Sequence, residues 1–177
     1  MSKIVVLSCT NRPDSCTLRV SKLYEEMLKN KGVSCELFSF ESLPVNLLFS
    51  DTYGNRSAEF EAIIEHVIKP NRHFLFVVPE YNGGFPGVLK LFLDAVHPRE
   101  WTNKKACLVG VSSGRAGNLR GMEHLTGVLN YLKMNVFYNK LPISQIDKIL
   151  DAEGKFIQPE QKTVCDHQLS GFIDFCK

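Results

Sequence analysis

Short apolar runs alternate with amphipathic stretches along the chain. Ile4–Leu7 is apolar and β-branched at consecutive positions, as in a strand buried on both faces. Ser15 then caps a segment with Val20, Tyr24, Met27 and Leu28 on one face and Lys22, Glu25, Glu26 and Lys29 on the other. Gly32 ends it, so the spacing predicts a helix. Ser34–Phe38 has the mixed polarity of an edge strand. Leu43–Asn55, with Pro44, Asn46, Asp51 and Gly54, reads as a loop. Phe60, Ile63, Ile64, Val67 and Ile68 repeat at helical spacing until Pro70 stops them. Phe74–Val78 is the third strand. The helix opened by Pro86 is apolar almost all round as far as Val96, which predicts two faces to bury, one on the sheet and one on a partner subunit. Ala106–Val111 is a fourth strand and Leu119–Leu132 a helix. Met134–Tyr138 reads as a fifth strand, and Cys165, Leu169, Phe172, Ile173 and Cys176 mark a closing helix.

Five β–α units with near-continuous apolar strands predict one α/β domain over residues 1–177. Its fold is a doubly wound, five-stranded parallel sheet of order 2-1-3-4-5 with helices on both faces. Ligands of such sheets sit beyond the carboxyl ends of the strands, so chemistry is expected in the loops after strands one, three and four.

Composition narrows the classes. At 177 residues and 44% hydrophobic the chain can bury a full core without staples. A net charge of +2 lacks the basic footprint of a nucleic-acid binder. No uncharged run exceeds nine residues, too few for a membrane helix, and the four apolar residues Ile4–Leu7 are too short for a secretion signal. A cytoplasmic protein is therefore expected, with no nucleic-acid or membrane partner. The six cysteines are scattered without C-x-x-C or finger spacing, so they read as reduced thiols, several of them buried, and no protein-ligated metal is expected.

The first loop runs Ser8-Cys9-Thr10-Asn11-Arg12-Pro13-Asp14-Ser15-Cys16-Thr17. Hydroxyls, an arginine and a helix N-terminus suit a phosphate, and the absence of Walker and G-x-G-x-x-G glycines favours a monophosphate. Ordinary N-capping by Ser15 beside a surface arginine is the plainer alternative. The second loop is Pro79-Glu80-Tyr81-Asn82-Gly83-Gly84-Phe85-Pro86-Gly87. Asn82-Gly83 favours a turn of positive φ that leaves N–H groups open to a flat ligand, Tyr81 can lie against a ring, and Glu80 is better suited to fixing the loop than to acting as a base. In the third loop, Ser112-Ser113-Gly114-Arg115-Ala116-Gly117-Asn118, small residues admit a ligand to the backbone, and Arg115 either reaches a phosphate of a second, nucleotide substrate or serves as a surface ion pair or cap. Gly121 and Gly127 interrupt the following helix, and close packing is the expected reason for both.

These loops resemble the NADPH-dependent FMN reductase family, a flavodoxin-like group that includes quinone, azo-dye and chromate reductases. The likeness spans about Ile4 to Leu141. Pro79-Glu80-Tyr81-Asn82-Gly83 with Pro86-Gly87-Val88-Leu89-Lys90 and Asp94 is its most specific part. Thr10, Arg12, Ser15 and Thr17 fit the first-loop pattern, and Ser112, Ser113, Gly114, Arg115, Gly117 and Asn118 the third. Cys9, Ser113 and Asn118 stand where glycine is common, and Thr17 where asparagine is. The resemblance implies an FMN enzyme that passes hydride from NADPH or NADH through bound FMN to a quinone, flavin or similar small acceptor by a ping-pong cycle, as a homodimer or homotetramer. It implies FMN phosphate on Thr10, Arg12, Ser15, Cys16 and Thr17. The flavin ring would lie on Pro79, Glu80, Tyr81, Asn82 and Gly83, closed by Ser112, Ser113, Gly114 and Arg115, with no catalytic side chain. The alternative is a flavodoxin-type electron carrier that binds FMN without oxidising nicotinamide.

Overall fold

A computed structural model of the chain describes residues 2–177. Strands β1 (Ile4–Ser8), β2 (Cys35–Ser39), β3 (His73–Pro79) and β4 (Lys105–Val111) alternate with helices α1 (Cys16–Asn30), α2 (Ala58–Ile63), α3 (Gly87–Ala95) and α4 (Leu119–Tyr131). Two short strands, β5 (Asn135–Val136) and β6 (Leu141–Ile143), and helix α5 (Pro159–Phe175) complete the chain. The sheet is parallel throughout, in the order β2-β1-β3-β4-β5 with β6 also paired to β4. This is the flavodoxin-like order the apolar runs predict, with β2 on the edge.

Consecutive strand residues serve opposite cores, which is why the runs show no alternation of polarity. Val5 and Leu7 of β1 pack with Phe60, Phe92, Trp101 and Met122 beneath α2, α3 and α4. Ile4 and Val6 pack with Val20, Tyr24, Leu169 and Phe172 beneath α1 and α5. Helix α2 runs on into a wider turn of π type over Ile64–Ile68. The buried Lys104 ammonium donates to the carbonyls of Ile68 and Asn71 and so closes the end of that helix.

The fifth strand departs from the expected Met134–Tyr138. Asn135 lies opposite Lys105, whereas Leu141 lies opposite Val109, so two extra residues loop out between β5 and β6. Gln168 of α5 bridges the break. Its amide nitrogen donates to Leu108 O of β4 at 2.9 Å and to Asn139 O at 2.8 Å, and its oxygen accepts from the Tyr24 hydroxyl at 2.7 Å. The carbonyl that a continuous strand would have paired is thereby satisfied from a helix.

The chain crosses from β1 to β2 on one side and to β3 on the other. The carboxyl ends of β1 and β3 therefore flank the point where the strand order reverses, and a crevice opens there.

Candidate functional site

Two adjoining cavities occupy that crevice. One, of about 400 Å³, is bounded by Arg12–Thr17, Pro79–Tyr81, Val111–Ser113, Ile146 and Asp147. The other, of about 390 Å³, is bounded by Glu80, Asn82, Gly83 and Ser112–Ala116. They share Glu80, Ser112 and Ser113 as a common wall. The three loops singled out in the sequence thus meet at one place, and every expected site residue except Thr10 lines it.

The first cavity is built on the N-terminus of α1. Asp14 takes a positive φ of 53° that turns the chain into the helix. Ser15 is the N-cap, its hydroxyl oxygen accepting from Leu18 N at 3.1 Å, so capping and cavity lining coexist in one residue. That hydroxyl still has a proton to donate. The N–H groups of Cys16 and Thr17 precede the first intrahelical bond and point along the positive end of the helix dipole. Arg12 adds a full charge at the rim. This end of the crevice has the chemistry that suits an anion.

Thr10 is fully buried behind the wall. Its hydroxyl accepts from Arg12 N at 3.2 Å and lies 2.7 Å from the Tyr81 hydroxyl. Cys9, at the position where glycine is common, turns into the core. Its thiol contacts Leu7 O at 3.4 Å, and burial pushes its pKa well up, which keeps it an inert thiol.

In the second loop Tyr81 and Gly84 exchange backbone bonds at 2.9 and 3.1 Å, with φ of 51° at Asn82 and 80° at Gly83. Two successive positive angles are those of a type I′ turn, the reason for Asn-Gly here. The N–H groups of Asn82 and Gly83 have no partner among the described residues, and both residues are exposed. Glu80 fixes the loop, as its position suggested: its N–H donates to Val111 O at 2.9 Å and its carboxylate accepts from Asn118 N at 3.2 Å.

The third loop is held from inside. The Ser112 hydroxyl donates to Gly114 O at 2.9 Å and accepts from Gly117 N at 3.2 Å. Gly110 allows this fold-back, since a Cβ there would sit 2.2 Å from Gly117 O. Arg115 stands at the mouth of the second cavity. Gly121 has the expected packing reason, its missing Cβ leaving room for the Asn118 side chain. Gly127 does not: a Cβ there would meet nothing within 4 Å.

Asp147 and Ile146 were not foreseen. They arrive on a short 3-10 turn pinned to the third loop by Ile146 N to Ser112 O at 3.1 Å and Gln145 N to Gly114 O at 3.0 Å. These are backbone contacts between distant segments and leave no mark in residue spacing.

Residues 2–148 match the family described as NADPH-dependent FMN reductase. The chain belongs to the NADPH-dependent FMN reductase family. It is an FMN-dependent NAD(P)H oxidoreductase, with FMN as cofactor and NAD(P)H as co-substrate. Among its relatives, the NAD(P)H-dependent FMN reductase PA1204 of Pseudomonas aeruginosa is 30% identical over 142 residues, 78% of this chain and 76% of that protein. A 2-hydroxy-1,4-benzoquinone reductase of Burkholderia sp. is 31% identical over 133 residues, 71% of this chain and 72% of that protein. In three dimensions the chain resembles FerB, a flavoenzyme NAD(P)H:(acceptor) oxidoreductase from Paracoccus denitrificans. The TM-score is 0.82 at 19% identity, covering 98% of this chain and 96% of that one.

The donors present fit the cofactor. A helix N-terminus, hydroxyls and Arg12 suit a phosphate, and the unpaired N–H groups at Asn82 and Gly83 suit the polar edge of a flat ring. Bound FMN supplies a two-electron centre between a hydride donor and an acceptor. The protein's own part is to bind, orient and exclude water.

Proposed function

We propose that the crevice seats FMN with its phosphate on Arg12, Ser15, Cys16 and Thr17. Pro79, Glu80, Tyr81, Asn82 and Gly83 border the ring, and Ser112, Ser113, Gly114 and Arg115 close the far side. Thr10 acts from behind this wall, through Tyr81. The acceptor is a quinone, a free flavin or a similar small planar oxidant, reduced in a ping-pong cycle after NADPH or NADH has given its hydride and left as NADP+ or NAD+. The observation that carries this reading is the shared wall of Glu80, Ser112 and Ser113, which makes an anion seat and an open, backbone-lined cavity into one continuous site. The name of the Burkholderia relative, a benzoquinone reductase, supports a quinone acceptor.

The outer face of α3 supports a homodimer, or a tetramer of such dimers. There the Lys90–Asp94 ion pair, at 2.7 Å, runs between two apolar grooves. One, of about 440 Å³, has Leu93, Val128 and Tyr131 as walls and includes Gly127; the other, of about 850 Å³, is walled by Pro44, Val45 and Leu48. Val45 and Tyr131 are 92% and 84% exposed in the single chain, a patch that a second copy would cover. The free, partly exposed thiols of Cys16 and Cys35 support a reducing, cytoplasmic setting.

The test is a visible spectrum of protein mixed with FMN and desalted, followed by anaerobic NADPH and then a benzoquinone. A retained flavin band that bleaches with NADPH and returns with the quinone is expected. A retained band that neither NADPH nor NADH bleaches would instead make the protein an electron carrier. Sedimentation at micromolar concentration should give a dimer or larger species, and a monomer would overturn the assembly.

A further inference from the structure

We infer that Asn118 is a positioning residue that locks the loop after β3 to the loop after β4, so that the ring-side walls of the crevice move as one body; this rests on the reading of that crevice as the FMN seat. Asn118 is fully buried and takes a left-handed φ of 64°. Its side-chain amide nitrogen donates to Val78 O and Pro79 O, both at 3.0 Å. Its backbone N–H donates to Glu80 Oε2 at 3.2 Å, and its carbonyl accepts from Met122 N at 2.9 Å as α4 begins. One residue is therefore bonded to three consecutive residues at the exit of β3 and to the first turn of α4.

Two local penalties accompany this arrangement. A left-handed conformation disfavours a side chain, though asparagine tolerates it better than most residues. The amide oxygen is also buried with no donor among the described residues. With the NH₂ group committed to two carbonyls, that oxygen is forced toward α4. It fits there only because position 121 is glycine: a Cβ on Gly121 would stand 2.0 Å from it and 2.9 Å from the carbonyl carbon of Gly84. Glycine at position 118 would remove both penalties and still turn the chain. What it would lose is the pair of bonds to Val78 and Pro79.

Those bonds act on the site through Glu80, which borders both cavities. The turn at Tyr81–Gly84 leans on α4 at the same place. Releasing Asn118 therefore frees the Pro79–Gly84 wall, while the N-terminus of α1 keeps its own Ser15 cap. The expected signature is split: ring binding suffers more than phosphate binding.

The test uses Asn118→Gly in the full chain. Hydrogen exchange on the FMN-free protein should quicken about tenfold or more in peptides covering residues 79–86, while peptides covering residues 20–30 of α1 keep the wild-type rate. FMN affinity should fall about tenfold and the visible circular dichroism of bound flavin should weaken, with protection of the Cys16 thiol by inorganic phosphate unchanged. Wild-type exchange across 79–86 would overturn the inference, and so would a loss of exchange protection spread over the whole chain. Asn118→Asp sets a carboxylate against two carbonyls and Glu80 and should be worse than glycine; if it does not fold, the glycine variant decides. Wild-type protein that binds no FMN would defeat the reading of the crevice, while the exchange experiment would still decide the role of Asn118.

Discussion

The Tyr81 hydroxyl lies 2.7 Å from the Thr10 hydroxyl, which joins the loop after β3 to the loop after β1 across the reversal point of the sheet. Thr10 also accepts the Arg12 N–H, so the pair ties the ring-side turn to the residue that carries the charge of the anion seat. Replacing Tyr81 by phenylalanine keeps the ring and removes only this bond. A neutral hydrogen bond has a net worth of about 0.5–1.5 kcal/mol, so FMN affinity should fall between about two- and tenfold. In a cycle with Thr10→Val the two losses should not add, because either substitution breaks the same contact. Fluorescence titration with FMN would measure both, and additive losses would mean that the hydroxyls do not work as a pair.

Arg12 supplies the full positive charge at the rim of the first cavity. Charge-assisted contacts contribute about 1.5–3 kcal/mol, so Arg12→Ala should weaken FMN binding more than tenfold. Riboflavin, which has no phosphate, should bind the variant and the wild type alike. Equal losses for both flavins would remove the phosphate from this end of the crevice.

The fold was legible because its strands are buried on both faces and its helices carry explicit start and stop residues. Ser15 caps α1, Pro86 precedes α3, and Asn82-Gly83 makes the positive-φ turn it encodes. All of these are local signals. What stayed hidden depends on contacts between remote segments. The break between β5 and β6 is made tolerable by Gln168, some 30 residues further on, and Asp147 reaches the crevice through backbone bonds to the third loop. Thr10 shows the limit of a motif: its position in the first loop is as expected, yet its hydroxyl faces Tyr81 and not the cavity. The departure at Asn118 could be seen in the sequence, but its meaning lies in which carbonyls it meets.

Gly121 and Gly127 sit six positions apart in α4 and should respond in opposite ways to alanine. Alanine gains about 1 kcal/mol over glycine in a helix interior. At Gly127 the new Cβ meets nothing, so an isolated chain should gain roughly that amount. At Gly121 it would strike the Asn118 amide at 2.0 Å, and overpacking of this kind typically costs about 1–3 kcal/mol, outweighing the gain. Urea unfolding of the two variants would compare them. Similar midpoints would mean that the seat of Asn118 yields more easily than its packing indicates.

Lys104 is buried at the end of the helix that follows α2, with its ammonium over the Phe74 ring and bonded to backbone carbonyls. Lys104→Met should leave those carbonyls without a donor and lower stability by about 1–3 kcal/mol. Burial also lowers the lysine pKa in the fold from 10.5 to about 8. Between these values the unfolded chain holds a proton that the folded one has released, so stability rises with pH across that window. The gap between wild type and Lys104→Met, measured by urea midpoints at pH 7.5 and 9.5, should therefore widen at the higher pH. A gap that narrows would mean that the carbonyls hold the charged form more strongly than burial opposes it.

The cysteines offer a probe of the anion seat that needs no turnover. Cys9, Cys107, Cys165 and Cys176 are buried, and desolvation pushes each thiol up, Cys176 to about 12. Only Cys16 and Cys35 are partly exposed, so a small aromatic disulfide should label two thiols in the folded protein and all six in urea. Of the two, Cys35 has its pKa raised by desolvation and should react faster as pH increases. Cys16 lines the first cavity, at the α1 N-terminus. A bound FMN phosphate should therefore shield Cys16 and leave Cys35 reacting at its free rate, a difference that a Cys35→Ser variant isolates as a single protected thiol. Labelling of Cys16 that saturating FMN does not slow would mean that the phosphate lies elsewhere in the crevice.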